Sequence, residues 1–141
     1  MLKNQGRSAS IVSFPYRYKK IDSGIVAEPL VQVKVRAKYG WQPLWFLMDS
    51  GADTSSMTIK LARLLGLSFE YKKTELQGVG SEPTYGYFGE MDLMLGKETI
   101  KVSTYFLESK NDILLLGRMD LFNHFNILFD NQKKETVFEK I

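Results

Sequence analysis

A chain of 141 residues that is 44% apolar and 13% aromatic is long enough to bury one core and too short for a two-lobed enzyme. Its 19 Lys+Arg against 16 Asp+Glu leave a net charge of +3, far from the excess of a dedicated nucleic-acid binder. The absence of cysteine excludes disulfides, thiolate nucleophiles and thiolate metal ligands, and suits a reducing compartment.

The first twenty residues carry Lys3, Arg7, Arg17, Lys19 and Lys20 and no acid, which leaves the remainder slightly acidic. Residues 1–27 therefore read as a basic, partly flexible N-terminal extension, with 1–20 a frayed tail. No stretch approaches the roughly 18 apolar residues of a membrane span, and no signal-peptide core is present, so a cytoplasmic protein without a membrane partner is expected. Asp22-Ser23-Gly24 follows Lys19 and Lys20 rather than an apolar strand, and reads as a turn.

Val31, Val33, Val35 and Ala37 alternate with Gln32, Lys34 and Arg36, the period of a half-buried strand. Tyr39-Gly40-Trp41 looks like a hairpin turn, and Leu44–Met48 is an unbroken apolar run that predicts a strand covered on both faces and ending at Asp49. Ser55 or Ser56 is positioned to cap a short helix with Ile59, Ala62 and Leu65 on one face and Gly66 as its stop. Residues 72–89, with Gly78, Gly80, Gly86, Gly89 and Pro83, suggest a mobile hairpin or loop.

Met91, Leu93 and Leu95, a turn at Gly96-Lys97-Glu98, then Ile100, Val102, Thr104 and Phe106 make a strand–turn–strand unit. Ile113–Leu116 predicts another apolar strand, closed by Gly117-Arg118 and followed by a helical turn from Met119 to His124. His124, the only histidine, reads as the edge of a small apolar turn; metal ligation by several histidines is excluded, as is a Ser-His-Asp triad without it. Ile127–Phe129 and Thr136–Phe138 form a final hairpin around Asp130–Lys134. The total is mainly β, with short strands at sandwich or barrel spacing and one or two short helices.

Two nucleotide motifs fail. Gly89 to Gly96-Lys97 has the wrong spacing for a phosphate loop and continues with Glu98; Gly78-Val79-Gly80 lacks the third glycine and the strand–helix unit of a dinucleotide fold. What remains is Asp49-Ser50-Gly51-Ala52-Asp53 after an apolar strand. A carboxylate at a buried strand end is partly desolvated, a neighbouring hydroxyl orients it, and glycine admits close approach.

Taken with Leu115-Leu116-Gly117-Arg118 downstream and Gln77-Gly78-Val79-Gly80 between them, this order resembles the retroviral-type aspartic proteases, or retropepsins, and in particular their cellular and bacterial branch. The resemblance covers roughly residues 28–141, with Ser50 in place of the commoner threonine. It implies a single-lobe, closed β-barrel or sandwich domain over 28–141 acting as a symmetric homodimer, because the chemistry needs two carboxylates sharing a proton and the chain supplies one. By that resemblance Asp49 activates water and Ser50 links the two active-site loops. Gly51 accepts a hydrogen bond from substrate, while Ala52 supports the loop. Asp53 binds substrate backbone and pairs, buried, with Arg118. Gly78, Val79 and Gly80 form a flap, and Val79 with Ile113 favours hydrophobic substrate residues. No metal or other cofactor is implied; the partners are a second copy and a peptide or protein substrate. Thr136–Phe138 is a candidate dimer seam and equally an intramolecular strand.

Two other function classes fit less of the chain. A non-catalytic peptide-binding or assembly module would keep the cleft without the reaction. A nucleic-acid binder would rely on the basic leader, and the balanced remainder speaks against it.

Overall fold

The structure is a computed structural model that describes residues 10–77, 83–112 and 114–141. Strand β1 (Ile11–Pro15) is followed by β2 (Arg17–Ile21) and β3 (Gly24–Glu28), then β4 (Leu30–Ala37), β5 (Gly40–Met48) and β6 (Ser55–Thr58). Helix α1 (Ile59–Leu65) leads to β7 (Phe69–Leu76), β8 (Thr84–Leu95) and β9 (Glu98–Leu107). The short β10 (Leu115–Leu116), α2 (Leu121–His124), β11 (Phe125–Asp130) and β12 (Glu135–Lys140) complete the chain. No helix among the described residues is long and apolar enough to cross a membrane.

The main sheet runs β4-β5-β10-β6-β9-β8-β7, and a further β4–β8 pairing closes it into a barrel. Two of its pairings, β5–β10 and β6–β9, are parallel. Inside the barrel, Val31, Val33 and Val35 of β4 meet Phe46 and Met48 of β5 and Met91, Leu93 and Leu95 of β8, all buried. The alternation read in residues 31–37, 91–95 and 100–106 is the inward face of this core, and the two hairpins expected there are present. Closure by β4–β8 removes two sheet edges that would otherwise invite intermolecular pairing.

Four expectations differ from the structure. The run Leu44–Met48 is not covered on both faces: Phe46 and Met48 point into the core, while Trp45 is 44% exposed. Neither Ser55 nor Ser56 caps α1, because both lie in β6. The cap is Thr58, whose Oγ1 accepts from Leu61 N at 3.2 Å, and Gly66 ends the helix at φ 73° as expected. We expect Thr58→Ala to lower stability by about 1 kcal/mol in urea unfolding. Gly86 and Gly89 belong to the interior of β8, not to a loop; a Cβ on Gly89 would come within 2.7 Å of the Phe106 ring, so glycine there permits close packing.

The fourth difference concerns the N-terminal residues. Residues 11–28 form three strands: β1 pairs with Glu135–Glu139 of β12, with Val12 and Phe14 packed on the core, and β2 and β3 make a hairpin turning at Asp22-Ser23. Charge alone suggested a frayed tail, but the alternation of Val12 and Phe14 supplies the apolar side that β12 needs. β12 thereby becomes the middle of a sheet ordered β1-β12-β11, with both edges occupied, and it is not free to serve as a dimer seam.

Candidate active site

β5 lies between β4 and β10 and delivers Asp49 from its buried end: Met48 N donates to Pro29 O at 3.0 Å and Asp49 N to Leu116 O at 2.9 Å. The loop 49–53 is then laced to the segment after β10. Arg118 N donates to Ala52 O at 2.9 Å, Met119 N to Asp53 O at 2.8 Å, and Gly117 N to Ser55 Oγ at 3.1 Å. Asp49 itself is half-buried, its Oδ1 accepting from Gly51 N at 2.9 Å, while Ala52 N donates to Asp49 O at 3.1 Å. The carboxylate is thus oriented by the Gly51 amide, which engages one of its oxygens, while the Ala52 amide closes the turn on the Asp49 main chain. Ser50 and Gly51 are exposed beside it.

The two motifs that are distant in sequence therefore form one continuous loop pair. Its tightest point is Gly117: a Cβ there would overlap the backbone of Thr54. This is a close approach that only glycine allows.

Asp53 and Arg118 are brought together as an ion pair between Oδ1 and Nη2. The pair is not buried, since the side chains are 83% and 45% exposed. Water screens it, so its worth falls from the roughly 3–5 kcal/mol of a broken buried pair to about 0.2–1 kcal/mol. Arg118→Ala should accordingly change urea-unfolding stability by less than about 1 kcal/mol. Beside this pair a depression of about 350 Å³ is lined by Asp53, Arg118, Met119, Asp120 and Asn123.

Gly78, Val79, Gly80 and Ile113 lie outside the described residues. The hairpin that leads to the first three is present as β7–β8 and is clamped at its base. Lys73 Nζ lies 3.1 Å from Glu108 Oε1, Tyr87 Oη donates to Glu108 Oε2 at 3.1 Å, and Glu108 N donates to Tyr85 O at 2.8 Å. The hydrogen bond from Lys73 holds the Glu108 carboxyl below the usual carboxylate range, assisted by Tyr87 and opposed by desolvation. A depressed folded-state pKa means that the clamp is in place above the ordinary carboxylate range and is lost as pH falls through the depressed value. Glu108→Gln should therefore narrow the stability difference between neutral and strongly acidic solution, measured by thermal unfolding across pH.

Sequence reading missed three supports. Ser55 Oγ receives Gly117 N, a contact across 62 residues that no local pattern signals. Asp120, at φ 69°, turns its Oδ2 to Ser103 N at 2.7 Å and fixes the start of α2 to β9; an acid just before a helix was its only sequence signal. Pro29 anchors the strand that carries Asp49. His124 is exposed at the end of α2, its Nδ1 2.6 Å from Asp120 O, while its neighbours Leu121 and Phe125 are buried. Among the described residues no three His, Asp or Glu side chains converge to hold a metal ion.

Residues 31–119, more than half of the chain, match the family model described as aspartyl protease. No protein with a curated description matches the chain by sequence. Among solved structures, a retropepsin-like aspartic protease from Rickettsia conorii superposes with a TM-score of 0.64 at 19% identity, covering 99% of this chain and 98% of that one. The retroviral protease-like domain of Ddi1 from Leishmania major gives 0.58 at 20% identity, over 76% of this chain and 84% of that one. The architecture is retropepsin-like, mainly β with two short helices among the described residues.

Proposed function

This chain belongs to the aspartyl protease family, and from that premise we propose that it is an endopeptidase in which Asp49 of two identical subunits activates water between them. The observation that carries the reading is the placement of Asp49, oriented by the Gly51 amide at a half-buried strand end laced to Gly117-Arg118. One carboxylate cannot be acid and base at once. Two that share a proton can, one deprotonating water while the other protonates the peptide carbonyl, with no covalent intermediate.

The chain has one such aspartate, so the site is completed by a second copy on a two-fold axis. The peptidase unit extends over residues 28–141, with β1 completing its C-terminal sheet. In the complete site Ser50 links the two loops, Gly51 and Ala52 line the floor, and Asp53, steadied by Arg118, meets the substrate backbone. Gly78, Val79 and Gly80 close over an extended peptide and exclude water. Leu47, on the same face of β5 as Asp49 by strand alternation, and Ile113 favour hydrophobic residues beside the scissile bond.

Digestion of a diverse peptide library from about pH 4 to 7 tests this reading, since a proton-sharing pair works in that range. Cuts between apolar residues are expected. Absence of cuts at concentrations where the protein is dimeric would leave a binding module on this fold.

A further inference from the structure

The β2–β3 hairpin forms a two-stranded sheet of its own, with every residue of β2 exposed and all of β3 exposed except Glu28. Both of its ends are fixed. Tyr16 N donates to Lys134 O at 2.8 Å and Tyr16 Oη to Asn131 Oδ1 at 2.9 Å, while Pro29 O accepts from Met48 N. The Arg17 guanidinium stacks over Trp45, 4.7 Å from the ring centroid. The hairpin is therefore a rooted arm, not a loose end.

Cross-strand pairing places Tyr18, Ala27 and Ile25 on one face and Arg17, Ile21 and Val26 on the other. Arg17 directs the second face toward the chain's own β5. The first face points away, and it is the barer of the two: Tyr18 is 57% and Ile25 74% exposed, against 39% for Ile21 and 43% for Val26. A two-stranded hairpin with no covered face is marginal in water, and an outward tyrosine and isoleucine supply what a covering surface would bury.

The root identifies that surface. Leu30, two residues beyond the arm, pairs with Leu47, and Pro29 bonds to Met48, so the arm leaves the barrel at the end of the strand that carries Asp49. A second copy must approach this end to bring its own Asp49 into place. The C-terminal strand β12 cannot hold that copy by an edge, because β1 and β11 occupy both. We propose that the β2–β3 hairpin is a dimerisation arm whose Tyr18–Ala27–Ile25 face docks on a second copy of this chain. The inference rests on the homodimeric reading of the active site. Lys20, opposite Ile25, shares this face, and Lys19, opposite Val26, lies on the other; both keep the arm soluble in a dissociated subunit.

The test compares the full-length protein with its Ile25→Glu and Tyr18→Ser variants by sedimentation velocity over a dilution series, with peptide cleavage measured at each concentration. Both positions are exposed, so the subunit fold should be retained. We expect the dimer dissociation constant to rise at least about tenfold, with activity lost at low concentration and recovered at high concentration. Because the chain has no cysteine, Ser23→Cys accepts a single photo-crosslinker at the arm's tip, and mixed light and heavy isotope dimers should yield crosslinks between subunits. An unchanged dissociation constant in both variants overturns the arm. So does a raised KM with dimerisation intact, which would make the hairpin a substrate grip, or a loss of binding to anionic vesicles with dimerisation intact. If the unaltered protein stays monomeric at every concentration and still cleaves in proportion to its concentration, the homodimeric reading itself fails, and the arm with it.

Discussion

Asp49→Asn should lower kcat/KM for peptide cleavage by about 1,000-fold or more while leaving the fold and the dimer in place. The amide keeps the shape of the carboxyl, and its oxygen can still accept from Gly51 N, so the loop 49–53 has no reason to rearrange. What is lost is the ability to bind and release a proton, and the substitution removes it from both halves of the pair at once. General acid–base catalysis by a positioned group contributes about 10²–10⁴-fold, and here acid and base are lost together. Steady-state cleavage of the best library peptide, with sedimentation and circular dichroism of the same preparation, provides the check. Wild-type levels of cleavage by a folded, dimeric variant would show that Asp49 is not the reacting group.

Gly117→Ala should be the most damaging single-methyl change at the site, costing about 3 kcal/mol, the upper end for overpacking, because the added carbon meets main chain and not a side chain that can rotate away. Relief would need either β10 or the Thr54 backbone to move. Both choices strain the bond from Gly117 N to Ser55 Oγ and the bonds that tie Arg118 and Met119 to Ala52 and Asp53. Cleavage should fall together with stability, since the same contacts orient Asp49. Gly51→Ala is the useful comparison: its Cβ would lie 3.3 Å from Asp49 Oδ1, so it should disturb the carboxylate with little loss of stability. Urea unfolding of the two variants, each with its cleavage rate, separates the effects. Equal stability of Gly117→Ala and the unaltered protein would show that the two loops are not packed as tightly as this geometry requires.

Much of this protein was determined locally and was legible as such. Alternation in residues 31–37, 91–95 and 100–106 follows from the two-residue period of a strand facing a core, and those strands face the core as read. Gly66 stops α1 because a left-handed residue ends a helix whatever surrounds it, and Asp22-Ser23 turns because two paired strands require a short connection there. The acid-hydroxyl-glycine order after an apolar strand, with a distant Leu-Gly-Arg, was enough to point to an aspartyl protease.

Properties that depend on partners remote in sequence were decided only by the tertiary structure. Ser55 reads as a helix cap by its neighbours, yet in β6 its hydroxyl receives Gly117 N, which no nearby residue reveals. The Asp53–Arg118 pair follows from the motif, but its exposure depends on what stands around it, and that lowers its expected energetic weight several-fold. The basic N-terminal residues suggested a tail by charge, whereas β12 offers Ile11–Pro15 an edge and turns them into sheet. That same pairing withdraws β12 as a seam and leaves the β2–β3 hairpin beside the strand that carries Asp49. Periodicity and turn chemistry are fixed within a few residues of chain; burial, strand order and edge occupancy depend on the closed barrel and the β1-β12-β11 sheet as wholes.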